Sequence, residues 1–388
     1  MTGKKLLVTI IILFSTSLAL PQEPSQSTGP EIRINEVLEP IRQKHRVPAL
    51  AGAIVTAEGL VTRGVAGVRK AGTEIPATVE DKWHLGSDTK AMTATLIGVL
   101  VEHGKLKWET TIEQVFPDIA AELQPELRGV TILHLLSHRA GLPANIPWIV
   151  VSKPGLSVSE QRLESVKRLA KIKLLSAPGK TYLYSNLGYV IAGAMAEKTM
   201  SSSWEDLITK LVFEPLGMKN AGFGGMGTPG EIDQPWGHGP TGKPVSGNGP
   251  AVDNLPVLGP AGTVHCTLAD WAKFVTDHLR GGRGDKALLK PETCRRLDTP
   301  PFGGEYALGW VAVEREWGGG TVLTHAGSNT MNYAVVWLAP KLGFAVLVTT
   351  NQGGPAAGNA CDEAAGALIR LQTSGKSSGR LILRIPGP

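Results

Sequence analysis

Cysteine is scarce: three in 388 residues, Cys266, Cys294 and Cys361. Three thiols cannot build a disulfide scaffold, and an odd number leaves at least one unpaired within the chain. They sit in separate patterned segments and read as small core residues. Aromatic residues make up only 5%, and 39 basic against 34 acidic residues leave a formal charge of +5. That charge is scattered, with no basic stripe interleaved with aromatics, so no nucleic-acid partner is expected. The 47 glycines and 27 prolines have no period, which excludes a collagen-like fibre. No internal repeat, heptad pattern or H-E-x-x-H motif is present, and no segment past the N-terminus is long and apolar enough to span a bilayer. What the chain does have is 42% hydrophobic residues, enough for a sizeable core, and a length that calls for one large unit or two cooperating lobes.

Lys4 and Lys5 precede an apolar run from Leu6 to Phe14, followed by small residues at Ser17 and Ala19. These are the three parts of a secretory signal peptide. The expected organisation is a signal peptide over 1–19 with cleavage near Ala19, a Pro/Gln/Ser-rich linker over 20–30, one domain over 31–371 and a flexible tail over 372–388. The apolar run is shorter than a spanning helix needs, and no cysteine near the exit accepts a lipid. A secreted or periplasmic protein without a stable membrane anchor is expected; an uncleaved anchor is the alternative.

Strand-like runs cluster at both ends of the domain: Ala49–Thr56 and Leu60–Gly67 early, then Leu308–Val313, Thr321–His325, Asn332–Leu338 and Phe344–Thr350 late. Helical patterns cover Glu31–His45, Ser87–His103, much of 105–230, Leu268–Leu279 and Cys361–Leu371. Residues 237–260 read as loop. The predicted fold is of the α/β (α+β) class: one antiparallel sheet built from both chain ends and flanked by helices, with a mainly helical lobe inserted at about 105–260. A cleft between lobes is the default place for a site.

Ser87-Asp88-Thr89-Lys90 is the chain's only S-x-x-K. It opens a helix that is apolar on almost every side, so Ser87 and Lys90 share one face of a buried first turn. Burial disfavours the lysine's charge and makes it a proton acceptor for the serine, while the helix N-terminus offers backbone N–H groups to an oxyanion. Taken alone S-x-x-K is a weak signal, and Ser87 as an N-cap with Lys90 on the surface is the better account. Tyr184-Ser185-Asn186 is the only Y-x-N. A tyrosine beside a lysine can have its phenol pKa reduced and shuttle protons, and the asparagine amide can hold the lysine and a substrate carbonyl; core aromatics and a turn are the other account. His325-Ala326-Gly327-Ser328 ends a strand, where the glycine permits close approach. There His325 can meet a substrate carboxylate or aid proton transfer.

S-x-x-K, Y-x-N and H-x-G in this order, with spacings of 97 and 141 residues, resemble the serine β-lactamase and penicillin-binding-protein superfamily, in its class C and esterase-like branch. Val130 to Pro143, Pro178-Gly179, Gly188-Tyr189, Pro215 to Met218, Pro260-Ala261-Gly262 with Asp270 and Phe274, and Leu308-Gly309-Trp310 are similar to segments of that branch. The resemblance implies Ser87 as acylated nucleophile, Lys90 as its partner and Tyr184 as general base. Asn186 would bind Lys90 and the substrate amide, His325, Ala326 and Gly327 would form the third wall, and the N–H groups of Ser87 and Ser328 an oxyanion hole. It implies no cofactor and no metal, and a small ester, amide or β-lactam substrate. The third motif reads H-A-G where typical β-lactamases and DD-peptidases have K-T-G. A histidine is mostly neutral at pH 7, which argues against strong β-lactamase activity but not against weak turnover, and histidine in this slot is similar to that of esterases, amidases and D-amino-acid peptidases of the superfamily. A DD-peptidase and a non-catalytic penicillin-binding or sensing protein are the other functions in view. His134 and His138 have i,i+4 spacing on a predicted helix, but with no glutamate between them a structural cap before Arg139 is expected instead of a zinc site.

Overall fold

The computed structural model of the chain describes residues 34–377. The signal peptide over 1–19 and the linker over 20–30 lie outside the described residues. So does the end of the tail beyond 377.

Both ends of the domain build one six-stranded sheet. Its strands are β1 (Ala49–Thr56), β2 (Gly59–Gly67), β6 (Val311–Arg315), β7 (Gly320–Ser328), β8 (Tyr333–Ala339) and β9 (Phe344–Thr350), in the order β2-β1-β9-β8-β7-β6. Every neighbouring pair is antiparallel. β9 is buried at all seven positions, which requires cover on both faces and explains its apolar run from Phe344 to Val348 in place of alternation. Helices Ile34–His45 and Pro355–Ser377 pack against the sheet near Gly52, where an added Cβ would lie 3.0 Å from Leu368 and 3.6 Å from Leu38. Helix Leu268–Arg283 packs against β1, β2 and β9.

A second sheet of three very short strands, β3 (Lys82–His84), β4 (Gly222–Phe223) and β5 (Val264–Thr267), is absent from the sequence reading. Two to four residues are too few to display an alternation. The last helix begins at Pro355 and runs to Ser377, so residues 372–377, assigned above to the tail, are helical. Leu308 to Trp310 turn instead of extending, because Gly309 has φ +83° and packs its backbone on Ala91.

The helix Thr89–Glu102 packs among other helices, and its first twelve residues are all buried. It ends as predicted before Gly104, which takes φ +67°. Helix Asn186–Met200 is likewise buried from Leu187 to Glu197. These two helices carry the candidate site. Helix Val158–Lys167 is tied to the second of them by a buried ion network: Arg162 donates to Glu197 at 2.6 Å, to Glu205, and to the carbonyls of Pro256 and Val257. The three cysteines are free and buried.

Candidate active site

Ser87 lies in a single 3-10 turn, Gly86–Asp88, immediately ahead of the helix Thr89–Glu102. Lys90 follows in the first helical turn and is fully buried. Its Nζ lies 3.0 Å from Ser87 Oγ, 2.8 Å from Asn186 Oδ1 and 2.6 Å from the carbonyl oxygen of Ala261. Loss of hydration pushes the Lys90 pKa down to about 7, against a partial opposing pull from Asp88. An ammonium would donate to all three oxygens. The neutral amine donates to the amide and carbonyl oxygens, which cannot donate in return, and turns its lone pair to the Ser87 hydroxyl.

Tyr184 O–H donates to Ser87 Oγ at 2.7 Å. The tyrosine sits in an extended segment held by Leu183 N donating to His138 O and Asn186 N donating to Ala144 O. Ser185 then caps the next helix: its Oγ accepts from Gly188 N at 3.1 Å and donates to Pro143 O at 2.7 Å. Y-S-N is therefore a cap as well as a site, and the cap places Tyr184 and Asn186 on either side of Lys90. Burial raises the Tyr184 phenol pKa above its usual value, with the Ser87 contact opposing. This corrects the expectation of a reduced phenol pKa: desolvation of the phenolate outweighs the nearby lysine, which is itself often neutral.

His325 also departs from expectation. It is 5% exposed, its Nε2 meets Tyr306 O–H at 3.0 Å and its Nδ1 meets the Ala326 carbonyl at 2.9 Å. Burial pushes its pKa down to about 3. The period-2 alternation of β7 turns His325 and Gly327 inward and leaves Ala326 and Ser328 exposed. The imidazole is thus held neutral by burial and turned inward, its Nδ1 3.7 Å from Asp88 Oδ1. β6 pairs with β7 only as far as Thr324, so the backbone from Ala326 to Ser328 has no β6 partner.

Gly327 and Gly86 let two backbones meet. A Cβ on Gly327 would fall 2.0 Å from Leu85 O and 2.4 Å from Ser87 N; one on Gly86, at φ +51°, would fall 2.3 Å from Ser328 N. The amides of Ser87 and Ser328 are thereby brought side by side. Gly327→Ala is expected to push β7 off the nucleophile turn and lower kcat/KM by roughly 10²-fold, the scale of an ångström-sized misplacement. Steady-state kinetics with Tm as a control for folding will measure this; wild-type activity would mean the contact does not matter.

Two partners were missed from sequence. The Ala261 carbonyl is backbone, and only the Pro260-Ala261-Gly262 match pointed to it. Asn145 Oδ1 accepts from Asn186 Nδ2 at 3.0 Å and from Trp148 Nε1 at 3.1 Å, orienting the Asn186 amide. His134 and His138 do not share a helical face, because the helix Ile132–Leu136 has ended and His138 takes φ +57°. His134 forms a capping box with Thr131 at the helix N-terminus rather than a cap before Arg139. His138 packs beside Tyr184, ring centroids 4.3 Å apart, and its Nδ1 accepts from Ser185 N.

Comparison with known proteins agrees with this geometry. The family model described as Beta-lactamase matches residues 34–370. Penicillin-binding protein 4 of Amycolatopsis lactamdurans is 27% identical over 345 residues, covering 82% of this chain and 84% of that one. An unguisins hydrolase of Aspergillus campestris (strain IBT 28561) is 26% identical over 336 residues, and the chain spans 60% of its length. Among solved structures, the octameric penicillin-binding protein homologue from Pyrococcus abyssi superposes with a TM-score of 0.69 at 25% identity, over 86% of this chain and 75% of that one. With both sheets and the Ser87-Lys90-Tyr184 constellation inside the matched span, this chain belongs to the Beta-lactamase family, as a β-lactamase-related or penicillin-binding-protein-like serine hydrolase.

Proposed function

We propose that the chain is an exported hydrolase that cleaves a small ester or uncharged amide through an acyl-Ser87 intermediate. The observation that carries this reading is the bonding of Ser87 Oγ, with Lys90 Nζ at 3.0 Å on one side and Tyr184 O–H at 2.7 Å on the other. Ser87 Oγ attacks the substrate carbonyl carbon while its proton passes to the neutral Lys90 amine. The carbonyl electron pair moves onto oxygen, where the N–H groups of Ser87 and Ser328 stabilise it. As the tetrahedral centre collapses, the leaving alkoxide or amine takes a proton from Tyr184, which recovers one from Lys90. Water then attacks the ester carbonyl carbon, giving a proton to the same relay, and the relay returns a proton to Ser87 Oγ as its bond to the acyl carbon breaks and the acid leaves. The export part of the reading rests on the sequence of residues 1–19.

The inward, neutral His325 supplies no cation for a substrate carboxylate, which favours esters over β-lactams and D-alanyl peptides. The purified mature chain, presented in parallel with a p-nitrophenyl ester, nitrocefin and a D-amino-acid amide, is expected to turn over the ester fastest. Intact mass after quenching is expected to show one acyl group, on Ser87. Faster turnover of nitrocefin than of the ester would overturn the substrate assignment. A stoichiometric burst with no turnover would instead indicate a sensing protein.

A further inference from the structure

A groove of about 620 Å³ opens at the end of β7, bounded among others by Pro240, Ser328, Thr330, Tyr333, Asn359 and Asp362. Its near end is Ser328, whose amide lies against the Ser87 turn. The far wall is the start of the helix Pro355–Ser377, where Asn359 and Asp362 are three residues apart and share a face. Gly358 lets that helix close on Tyr333: an added Cβ would sit 3.6 Å from the ring and 3.8 Å from its hydroxyl. Burial pushes the Tyr333 pKa up to about 12, so the ring stays a neutral phenol. The opposite wall is pinned in place. His238 O accepts from Gly353 N at 2.9 Å, His238 Nδ1 meets Asn351 O at 2.7 Å, and Pro240 is packed on Gly354.

The charge of this groove is one-sided. Asp362 is exposed and is the one acidic group among the bounding residues described, and no lysine or arginine is among them. A carboxylate and a neutral tyrosine lining one groove are a pairing that holds an ammonium group, through Coulombic attraction and the ring quadrupole together. A substrate carboxylate placed there would meet the repulsion of Asp362 with no lysine or arginine in the lining to offset it. We propose that this groove is a specificity subsite and that Asp362, with Tyr333, selects substrates carrying a cationic amine or quaternary ammonium on the part that extends past Ser328. The assignment rests on the serine hydrolase reading above and narrows its substrate class.

The test uses the mature chain and two matched ester series, one with the variable group in the alcohol and one with it in the acyl chain. Each series contains a trimethylammonium ester, its uncharged tert-butyl isostere and a carboxylate analogue. In one of the series the wild type is expected to favour the ammonium ester over its isostere by roughly 5-fold in kcat/KM, the scale of a single solvent-exposed charge pair. Asp362→Asn should abolish that preference, and Asp362→Lys should reverse it in favour of the carboxylate. Neither variant should change turnover of the uncharged ester, and added salt should flatten the wild-type ratio. Ratios unchanged across the three proteins, with the uncharged ester turned over normally, would overturn the groove assignment alone. No Ser87-dependent turnover of the uncharged ester would overturn the hydrolase reading itself.

Discussion

Ser87→Ala is expected to lower kcat/KM for a neutral ester by roughly 10⁴-fold or more and to abolish the acyl adduct seen by mass. The hydroxyl is the one group placed to form the covalent bond, and the substitution removes it without enlarging any other side chain. What remains is binding and the paired Ser87 and Ser328 amides, which keep their positions because they belong to the backbone. Some residual rate over water is therefore expected. The fold should survive: Ser87 sits in a partly exposed turn, and its loss deprives Lys90 of one partner while Asn186 and Ala261 remain. The decisive pair of measurements is turnover and Tm. Unchanged hydrolysis in a folded Ser87→Ala protein would place the chemistry elsewhere.

Legibility in the sequence followed the length over which a physical signal is repeated. β1 and β9 were readable because each is a mostly apolar run, eight and seven residues long, bounded by a hairpin turn: Ala57-Glu58-Gly59 after β1 and Pro340 to Gly343 before β9. The all-round apolar helix opening at Ser87 announced its own burial, and with it the altered state of Lys90. β3, β4 and β5 gave no signal because they are held by pairing with one another, not by any pattern of their own. The same holds for contacts made across long separations. Arg162 reads as an ordinary surface arginine until Glu197 and Glu205 are brought to it, and the Ala261 carbonyl has no side chain to mark it. His325 was misread for a simpler reason: a motif gives residue order, while strand alternation decides which of its members face the cleft.

Lys90→Met should cost nearly as much as losing the serine, and the comparison with Tyr184→Phe assigns the base. Lys90 has a pKa near 7 and is bonded so that its neutral form accepts from Ser87, whereas the Tyr184 phenol is pushed upward and holds its proton. Wild-type kcat/KM for an uncharged ester is therefore expected to rise tenfold per pH unit below about 7 and to level off above it. The sign follows from the lone pair: protonated Lys90 has none to offer, and the neutral fraction grows as pH rises through its pKa. Methionine keeps most of the lysine's length but accepts no proton, and it leaves Asn186 Oδ1 and the Ala261 carbonyl without a donor. A loss of roughly 10³-fold or more and disappearance of the acidic limb are expected, in the upper part of the range for a general base. Tyr184→Phe keeps the ring packed beside His138 and removes only the hydroxyl. Its plateau should fall by roughly 10²-fold through poorer protonation of the leaving group, with the limb still present near pH 7. An acidic limb that persists in Lys90→Met but vanishes in Tyr184→Phe would transfer the base role to the tyrosine, and would mean that substrate binding overturns the desolvation that keeps its phenol protonated.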